Sequence, residues 1–258
     1  MRKQGNSEHI VLGIDIGGTG IKAADVDVDT GTLVREPVIY PTPQPSTPDS
    51  VIAVIEKIVE QFEWNGPVGC GVPGIVKHGE IQLIANLDQS WVGVNLQKEL
   101  SGILGGWVCV GNDADAAGLA EMRFGAGSDR KHGGGDIVLF LTLGTGIGSA
   151  LFLDGNLVPN TEFGLLEMGG DIAEKQAATV VREREQLCWK EWGGRVNRYL
   201  NLMDRLLSPD CIIIGGGVSA EFHRFSTYLQ TSCDIIPARL KNNAGMIGAA
   251  LLCEHADR

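Results

Sequence analysis

The stretch Ile10-Val-Leu-Gly-Ile-Asp-Ile-Gly-Gly-Thr-Gly20 decides the fold of this chain. Its first seven residues are mostly apolar and β-rich, its last four are turn residues, and a second β-rich run covers residues 21–28. This pattern predicts a β-hairpin with a glycine turn. The stretch Leu141-Thr-Leu-Gly-Thr-Gly-Ile-Gly148 repeats the same order near the start of the second half. The repeat predicts a duplicated α/β lobe with one such hairpin in each copy.

Glycine turns of this kind suit phosphate binding. Backbone N–H groups without neighbouring side chains can approach a phosphate, and a threonine hydroxyl adds a donor. One such turn alone is more often an ordinary tight turn, but two matched copies favour a phosphate site. The candidate phosphate-binding residues are Asp15, Gly17, Gly18, Thr19, Gly20, Lys22, Gly144, Thr145 and Gly146. Asp15 ends the first strand, where its carboxylate could hold Mg²⁺ through water.

Other glycine patterns in the chain do not indicate a different nucleotide-binding fold. Residues 18–23 and 215–220 both fit the dinucleotide pattern GxGxx(G/A). A strand pattern follows the first, and no acidic residue follows the second at the distance that a ribose requires. The sequence contains no GxxxxGK(S/T), so a P-loop is excluded.

Composition narrows the class of protein. The 258 residues carry a formal net charge of −11, and 43% are hydrophobic. Such an acidic chain is not expected to bind nucleic acid through a basic surface. The six cysteines form no CxxC pair, so we expect no zinc site and instead reduced, buried thiols in a cytoplasmic protein. No signal peptide is recognisable, and the longest apolar run, residues 137–153, is too short and glycine-interrupted for a membrane span.

Periodicity predicts the remaining elements. A helix follows Thr47 and Pro48, and Asn112-Asp113 opens another helix that reaches Met122. Strands are expected at residues 68–72, 107–110 and 211–214, a β-rich stretch at residues 75–84, and a helix after the turn 215–217. A long helix is expected at residues 172–207, with Gly193-Gly194 as its weak point, and an alanine-rich helix closes the chain at residues 243–253.

Four motifs, taken in order, resemble those of the ROK (repressor, open reading frame, kinase) sugar kinases. They are Asp15-Ile-Gly-Gly-Thr-Gly20, Asn112-Asp-Ala114, Leu143-Gly-Thr-Gly-Ile-Gly148 and Ile214-Gly-Gly-Gly-Val218. Five further stretches are similar to the polyphosphate glucokinase branch: Tyr40-Pro-Thr-Pro-Gln-Pro45, Val76-Lys-His-Gly79, residues 113–127, Val158-Pro-Asn-Thr-Glu162 and Val181-Arg-Glu-Arg-Glu185. The likeness spans residues 10–253. Each motif is weak alone, but the set is specific.

This resemblance implies an α/β protein with the two-lobe actin-like ATPase (ribonuclease H-like) fold, with duplicated lobes and a cleft between them. The small lobe would cover residues 10–112 and include the C-terminal helix 243–253, and the large lobe would cover residues 113–240. The implied enzyme transfers a phosphoryl group from polyphosphate and/or ATP to the 6-hydroxyl of glucose, giving glucose 6-phosphate, with Mg²⁺ as cofactor. A cytoplasmic homodimer is expected. Residue chemistry alone does not rank ATP against polyphosphate.

The resemblance also implies roles for individual residues. Asp113 corresponds to the general base that takes the proton from the sugar hydroxyl, although a helix cap is the ordinary alternative for it and for Asn112. Gly216 and Gly217 correspond to the wall beside a nucleotide base or ribose. The positions that match sugar contacts are Asn86, Asn112, Asp113 and Glu162, with Glu174 as a further candidate.

One position departs from the family pattern. The family has Gly-His where this chain has Gly164-Leu165, and leucine cannot form a hydrogen bond with a sugar hydroxyl. Two alternatives stay open: a weakly active sugar-binding or regulatory ROK-like protein, which Leu165 suggests, and an ATP-dependent kinase for another hexose. Candidate contacts for a polyanionic donor, which are equally ordinary surface charges, are Lys22, Arg123, Arg130 and Lys131.

Overall fold

The computed structural model describes residues 9–130 and 133–255. The chain forms two compact units. Of the described residues, the first unit contains those up to Ala120 and those from Asn243 on, and the second contains those within Glu121–Asn242. The lobe limits expected from the sequence, at residues 112 and 240, stay predictions.

The first part of the chain builds most of the first unit. Its elements are β1 (Ile10–Ile16), β2 (Gly20–Asp27), β3 (Thr32–Leu33), β4 (Val38–Pro41), α1 (Pro48–Gln61), β5 (Val68–Val72), β6 (Gly74–Lys77), β7 (Glu80–Ile84), α2 (Leu96–Leu104), β8 (Val108–Asn112) and α3 (Asp113–Phe124). The helix predicted after Thr47 and Pro48 is confirmed as α1. Pro48 occupies its first turn, and Val51, Ile55 and Ile58 are buried along one face.

The second unit follows, and the last helix returns to the first. The second unit contains β9 (Ile137–Leu143), β10 (Ile147–Leu153), β11 (Asn156–Val158), β12 (Glu167–Met168), β13 (Asp171–Ile172), α4 (Glu174–Ala177), α5 (Thr179–Arg184), α6 (Trp189–Leu207), β14 (Cys211–Gly215) and β15 (Asp234–Pro237). Helix α7 (Ala244–His255) belongs to the first unit. Within the described ranges, no helix combines the length and apolarity needed to cross a membrane.

The two units have sheets of the same design. In the first, the strand order is β3-β2-β1-β5-β8, with β4 paired to β2, and in the second it is β11-β10-β9-β14-β15. Each sheet joins an antiparallel hairpin, β1–β2 or β9–β10, to two further parallel strands. The duplicated α/β lobe predicted from the repeated hairpin sequence is therefore present, and the fold is that of the two-lobe actin-like ATPases.

Helix α7 packs directly on the sheet of the first unit. It contacts β1, β2, β5 and β8. A Cβ atom at Gly13 in β1 would lie 1.9 Å from the carbonyl oxygen of Met246, and one at Gly69 in β5 would lie 1.8 Å from that of Ala249. Since no Cβ can occupy such positions, these glycines let the helix backbone approach the strands closely.

Two helix predictions for the second unit are wrong. The long helix expected at residues 172–207 is instead β13 and three helices, because the chain is extended at Ala178 (ψ 154°) and α5 ends at Arg184. Gly193 and Gly194 do not interrupt the helix but lie inside α6, where the Tyr228 ring packs against Gly193. After Gly216, a kinked 3-10 segment (Gly217–Arg224) takes the place of the expected helix.

Candidate active site

The glycine turn of the first unit is closed by its own backbone. The Gly17 N–H donates to the Gly20 carbonyl oxygen over 3.0 Å, and the Thr42 hydroxyl donates to the Gly17 carbonyl oxygen over 2.5 Å. A Cβ at Gly18 would lie 2.8 Å from the carbonyl oxygen of Asn86. The structure therefore brings two predicted residues together, Gly18 for phosphate and Asn86 for sugar, and the missing side chain makes this contact possible.

Asp15 precedes this turn in β1, and its side chain lies close to the start of α7. Its Oδ2 is 3.8 Å from the Lys22 ammonium nitrogen, and a Cβ at Gly245 would lie 2.6 Å from the same oxygen. Burial raises the pKa of Asp15, and the nearby Lys22 charge opposes that increase. The described residues contain no group of three or more metal-ligating side chains. A single carboxylate fits Mg²⁺ bound mainly by phosphate oxygens and water.

Asn112 and Asp113 lie at the junction of β8 and α3. The buried Asn112 side chain accepts a hydrogen bond from the Asp115 N–H over 2.8 Å and donates one to the Gly74 carbonyl oxygen over 3.0 Å. Asn112 therefore caps α3. Asp113 is half-buried, and its Oδ1 accepts a hydrogen bond from the Ala114 N–H over 2.8 Å. Because Asn112 supplies the cap, the ordinary capping interpretation of Asp113 loses its main support.

The glycine turn of the second unit is also closed by a backbone bond, but it is one residue shorter. The Gly144 N–H donates to the Gly146 carbonyl oxygen over 3.0 Å, two residues on, whereas the Gly17 N–H donates to Gly20, three residues on. The Thr145 side chain between them is exposed. An added Cβ at Gly144 would meet no atom within 4 Å, so its backbone is accessible from that side. An exposed turn with accessible backbone is compatible with the phosphate-binding role predicted for it, which stays a prediction.

Glu174 lies against this second turn. Its Oε2 accepts a hydrogen bond from the Ile147 N–H over 3.4 Å, and a Cβ at Gly146 would lie 2.6 Å from the same oxygen. The sequence matched Glu174 to a sugar contact only, and gave no sign that its carboxylate contacts the second glycine turn. The contact spans residues on separate elements, so no local pattern could have revealed it.

Glu162 and the Tyr199 hydroxyl share the surroundings of Glu174. Burial, and secondarily the charge of Glu174, raises the pKa of Glu162 to about 7. Burial and the charges of both glutamates also raise the pKa of Tyr199. The buried Tyr199 hydroxyl has no hydrogen-bond partner among the described residues. The second unit therefore contains a half-buried acid that changes charge near neutral pH.

The glycines predicted to form the donor wall lie next to the second turn. Gly216 has a φ of 78°, and a Cβ there would lie 2.5 Å from the carbonyl oxygen of Leu143, the last residue of β9. Gly217 has open space where a Cβ would be. The parallel pairing of β14 with β9 thus brings Gly216 and Gly217 to the Gly144–Gly146 turn. This part of the predicted site is assembled within one unit.

The basic residues predicted to contact a polyanionic donor each lie near a carboxylate or an aromatic ring, where they are described. Lys22 is near Asp15, Arg130 forms an ion pair with Asp136 at 2.6 Å, and Arg123 lies 5.1 Å from the ring centre of Phe124. Lys131 lies outside the described residues. The sequence missed a more organised basic cluster around Trp189, although part of it falls in the branch-like stretch 181–185.

Leu165 follows Glu162 within one short 3-10 turn. Its N–H donates to the Glu162 carbonyl oxygen over 3.1 Å, and the residue is 40% exposed. The position therefore has room for a larger or polar side chain near Glu162.

Comparison with known proteins gives consistent matches. The model of the ROK family matches residues 11–169. The chain is 46% identical to a polyphosphate glucokinase of Mycobacterium tuberculosis, over 93% of this chain and 89% of that protein. It is 44% identical to that of Mycobacterium leprae, over 95% of this chain and 75% of that protein. The crystal structure of an inorganic polyphosphate/ATP-glucomannokinase from an Arthrobacter species superposes with a TM-score of 0.91 at 43% identity, covering 96% of this chain and 100% of the other.

Proposed function

Because this chain belongs to the ROK family, we propose that it is a glucokinase that uses polyphosphate or ATP. It transfers a phosphoryl group to the 6-hydroxyl of glucose and releases glucose 6-phosphate. The observation that carries the proposal is the pair of glycine turns at corresponding hairpins, β1–β2 and β9–β10, one in each unit, each closed by an N–H to carbonyl bond of 3.0 Å. Phosphoryl transfer depends mainly on positioning and charge stabilisation, which such turns supply.

On the acceptor side, Asp113 is the general base. It accepts the proton of the sugar hydroxyl as the oxygen attacks the phosphorus atom, and it is the first residue of α3. The positive end of the helix dipole stabilises the carboxylate in its charged, proton-accepting form. Asn86, Asn112, Glu162 and Glu174 contribute to sugar binding. For Asn112 the contribution includes holding Asp113 at the helix start through its capping bond.

On the donor side, backbone N–H groups and hydroxyls bind the phosphates. Gly17, Gly18, Thr19 and Gly20 form the turn of the first unit, and Gly144, Thr145 and Gly146 form that of the second. Gly216 and Gly217 border the place of a nucleotide base or ribose when ATP is the donor. The open surroundings of Gly144 and Gly217 support this assignment.

A divalent cation is expected for a kinase of this family, and we propose Mg²⁺. Asp15 would hold it through water, and the phosphate oxygens would supply the remaining ligands. When bound there, the cation would supply positive charge against the donor phosphates. Lys22, 3.8 Å from Asp15, adds a second positive charge at the first turn.

The relatives favour this function over the two alternatives left open by Leu165. The two mycobacterial proteins are polyphosphate glucokinases by name, and the Arthrobacter protein is a polyphosphate/ATP-glucomannokinase. Neither a regulatory protein nor a kinase restricted to ATP is favoured by these matches. We further propose that the enzyme is a cytoplasmic homodimer. Sedimentation velocity of the purified protein tests the dimer.

The test of the function is a matrix of donors and sugars. Purified protein with Mg²⁺ is assayed with ATP or nucleotide-free polyphosphate against glucose, mannose and other hexoses. Glucose 6-phosphate formed with polyphosphate is the expected result. Activity with ATP alone would contradict the polyphosphate assignment, and no phosphorylated sugar with any pair would contradict the kinase assignment.

A further inference from the structure

Two arginines of the second unit contact the same tryptophan. The Arg182 guanidinium carbon lies 3.7 Å from the centre of the Trp189 ring, and that of Arg224 lies 4.8 Å from it. Trp189 is itself held by aromatic neighbours, stacked on Phe225 with the ring centres 6.0 Å apart and edge-on to Trp192 at 5.8 Å. Cation–π contacts with a fixed ring hold two positive charges in defined positions. We call these three side chains, Arg182, Trp189 and Arg224, the arginine cluster.

The arginine cluster has unused capacity to bind an anion. The Nε atom of Arg182 is buried, and no acceptor for it exists among the described residues. Arg224 is half-exposed, and its contact with Glu221, at 3.4 Å, is long for a charged hydrogen bond. A buried N–H donor without an acceptor is costly in a folded protein, and an anionic ligand oxygen would satisfy it.

Both arginines lie on segments that begin at the second phosphate turn. At the start of α5, the Thr179 hydroxyl donates to the Leu143 carbonyl oxygen over 3.0 Å, and the Val180 N–H donates to that of Gly144 over 3.1 Å. Arg182 follows on the same short helix. The 3-10 segment that carries Arg224 begins next to Gly216, which packs against Leu143. The arginine cluster is thus joined to the turn by two short pieces of backbone.

We propose that the arginine cluster binds phosphate groups of an inorganic polyphosphate chain beyond those held at the Gly144–Gly146 turn. This role rests on the proposed function, and in it Arg182 and Arg224 favour polyphosphate over ATP as the donor. A polyphosphate carries charge along its whole length, so it can use two further guanidinium groups, whereas a nucleotide presents an uncharged base beyond its phosphates. In a chain of net charge −11, such local cations are required to attract a polyanion.

Arg182→Gln and Arg224→Gln test the proposal, with Arg184→Gln as the matched control. Arg184 is on the same helix and carries the same charge, but it is exposed and pairs with Glu185 at 3.0 Å. Arg182→Lys keeps the charge and loses the planar group on Trp189. Loss of a charged hydrogen bond predicts about a tenfold rise in KM for long-chain polyphosphate with Arg182→Gln. For the exposed Arg224 we expect about threefold.

The readouts are kcat/KM with long-chain polyphosphate, tripolyphosphate and ATP, and calorimetric binding of long-chain polyphosphate without sugar. The expected result is that Arg182→Gln and Arg224→Gln weaken long-chain binding, and lower kcat/KM for the long chain several-fold more than for ATP or tripolyphosphate. Arg182→Lys should lose most of the preference for long-chain polyphosphate over ATP and tripolyphosphate, and Arg184→Gln should keep that preference. These differences between donors are measured on folded, active enzyme.

Three results would overturn the inference: equal effects of Arg182→Gln and Arg184→Gln, equal losses with long-chain polyphosphate and ATP, or no binding of polyphosphate to the wild-type protein. A protein that binds polyphosphate through Arg182 and yet phosphorylates no sugar would instead overturn the proposed function and leave the inference standing.

Discussion

Burial of Glu162, and secondarily its repulsion by the charge of Glu174, raises the pKa of Glu162 to about 7. An acid with a pKa above its usual 4.5 binds more protons in the folded chain than in the unfolded chain at intermediate pH. The contribution of Glu162 to the free energy of unfolding therefore decreases as the pH rises from about 4.5 to about 7.

The kcat/KM for glucose should depend on pH through the titration of Glu162. Ionised Glu162 accepts hydrogen bonds from sugar hydroxyls better than its protonated form, so kcat/KM for glucose should rise with pH through a midpoint near the pKa of about 7. Glu162→Gln should remove this midpoint from the pH profile, and Glu167→Gln, at a neighbouring exposed glutamate, should keep it. An unchanged midpoint in Glu162→Gln would assign the titration to another group.

Asp113→Asn should abolish most turnover and leave the fold intact. Loss of a general base typically lowers kcat by about 10²–10⁴-fold. Asparagine keeps an oxygen that can accept the Ala114 N–H bond, and the Asn112 cap is untouched. The matched control is Asp49→Asn, the same change in the first turn of α1. Steady-state kinetics and thermal unfolding measure both variants, and a kcat within a few-fold of wild type would contradict the role of Asp113.

Leu165→His should lower the KM for glucose. A restored hydrogen bond to an uncharged hydroxyl contributes about 0.5–1.5 kcal/mol, or roughly a few-fold to tenfold in affinity. The residue is 40% exposed and of similar bulk to histidine, so overpacking is not expected. Glucose saturation curves with one donor measure the effect, and Leu165→Phe controls for size. If the histidine variant has an unchanged or higher KM, Leu165 does not face the sugar.

Gly69→Ala should destabilise the first unit strongly. Its Cβ would lie 1.8 Å from the Ala249 carbonyl oxygen, and backbone on both sides must move. Overpacking of this kind costs about 1–3 kcal/mol or more. Gly102→Ala on α2 is the control, because its Cβ meets nothing within 4 Å and alanine favours the helix by about 1 kcal/mol. Urea unfolding curves measure both, and equal midpoints would contradict the close packing of α7.

The sequence predicted the parts of the fold that depend on local pattern. The two hairpins, the helix after Pro48 and the helix beginning at Asp113 all carry turn or capping residues within a few positions. The break at Ala178 could not be predicted in this way, since alanine favours helices and the extended backbone there is stabilised by contacts of the next two residues with Leu143 and Gly144. At Gly193 the sequence predicted a weak point that the structure does not have, because tertiary packing overrides the low helix propensity of glycine.

In the candidate site, too, the parts that follow from local motifs were predicted, and the parts that depend on distant contacts were not. The glycine turns and Asn112-Asp113 are visible as motifs, and their local geometry follows from the residues themselves. The contact of Glu174 with Gly146, and the arrangement of Arg182 and Arg224 on Trp189, depend on pairing between distant elements. The paired residues lie far apart in the sequence, so no local pattern marks them.

The return of α7 to the first sheet has a consequence for synthesis on the ribosome. Strands β1 and β5 leave the ribosome early, but the helix that covers Gly13 and Gly69 is translated after every other element of both units. Glu121–Asn242 is continuous, so it can fold during translation while the first sheet still has an uncovered apolar face. Until α7 has emerged from the ribosome, the first unit therefore keeps an apolar face exposed to chaperones, whereas the folding of the second unit does not depend on that helix.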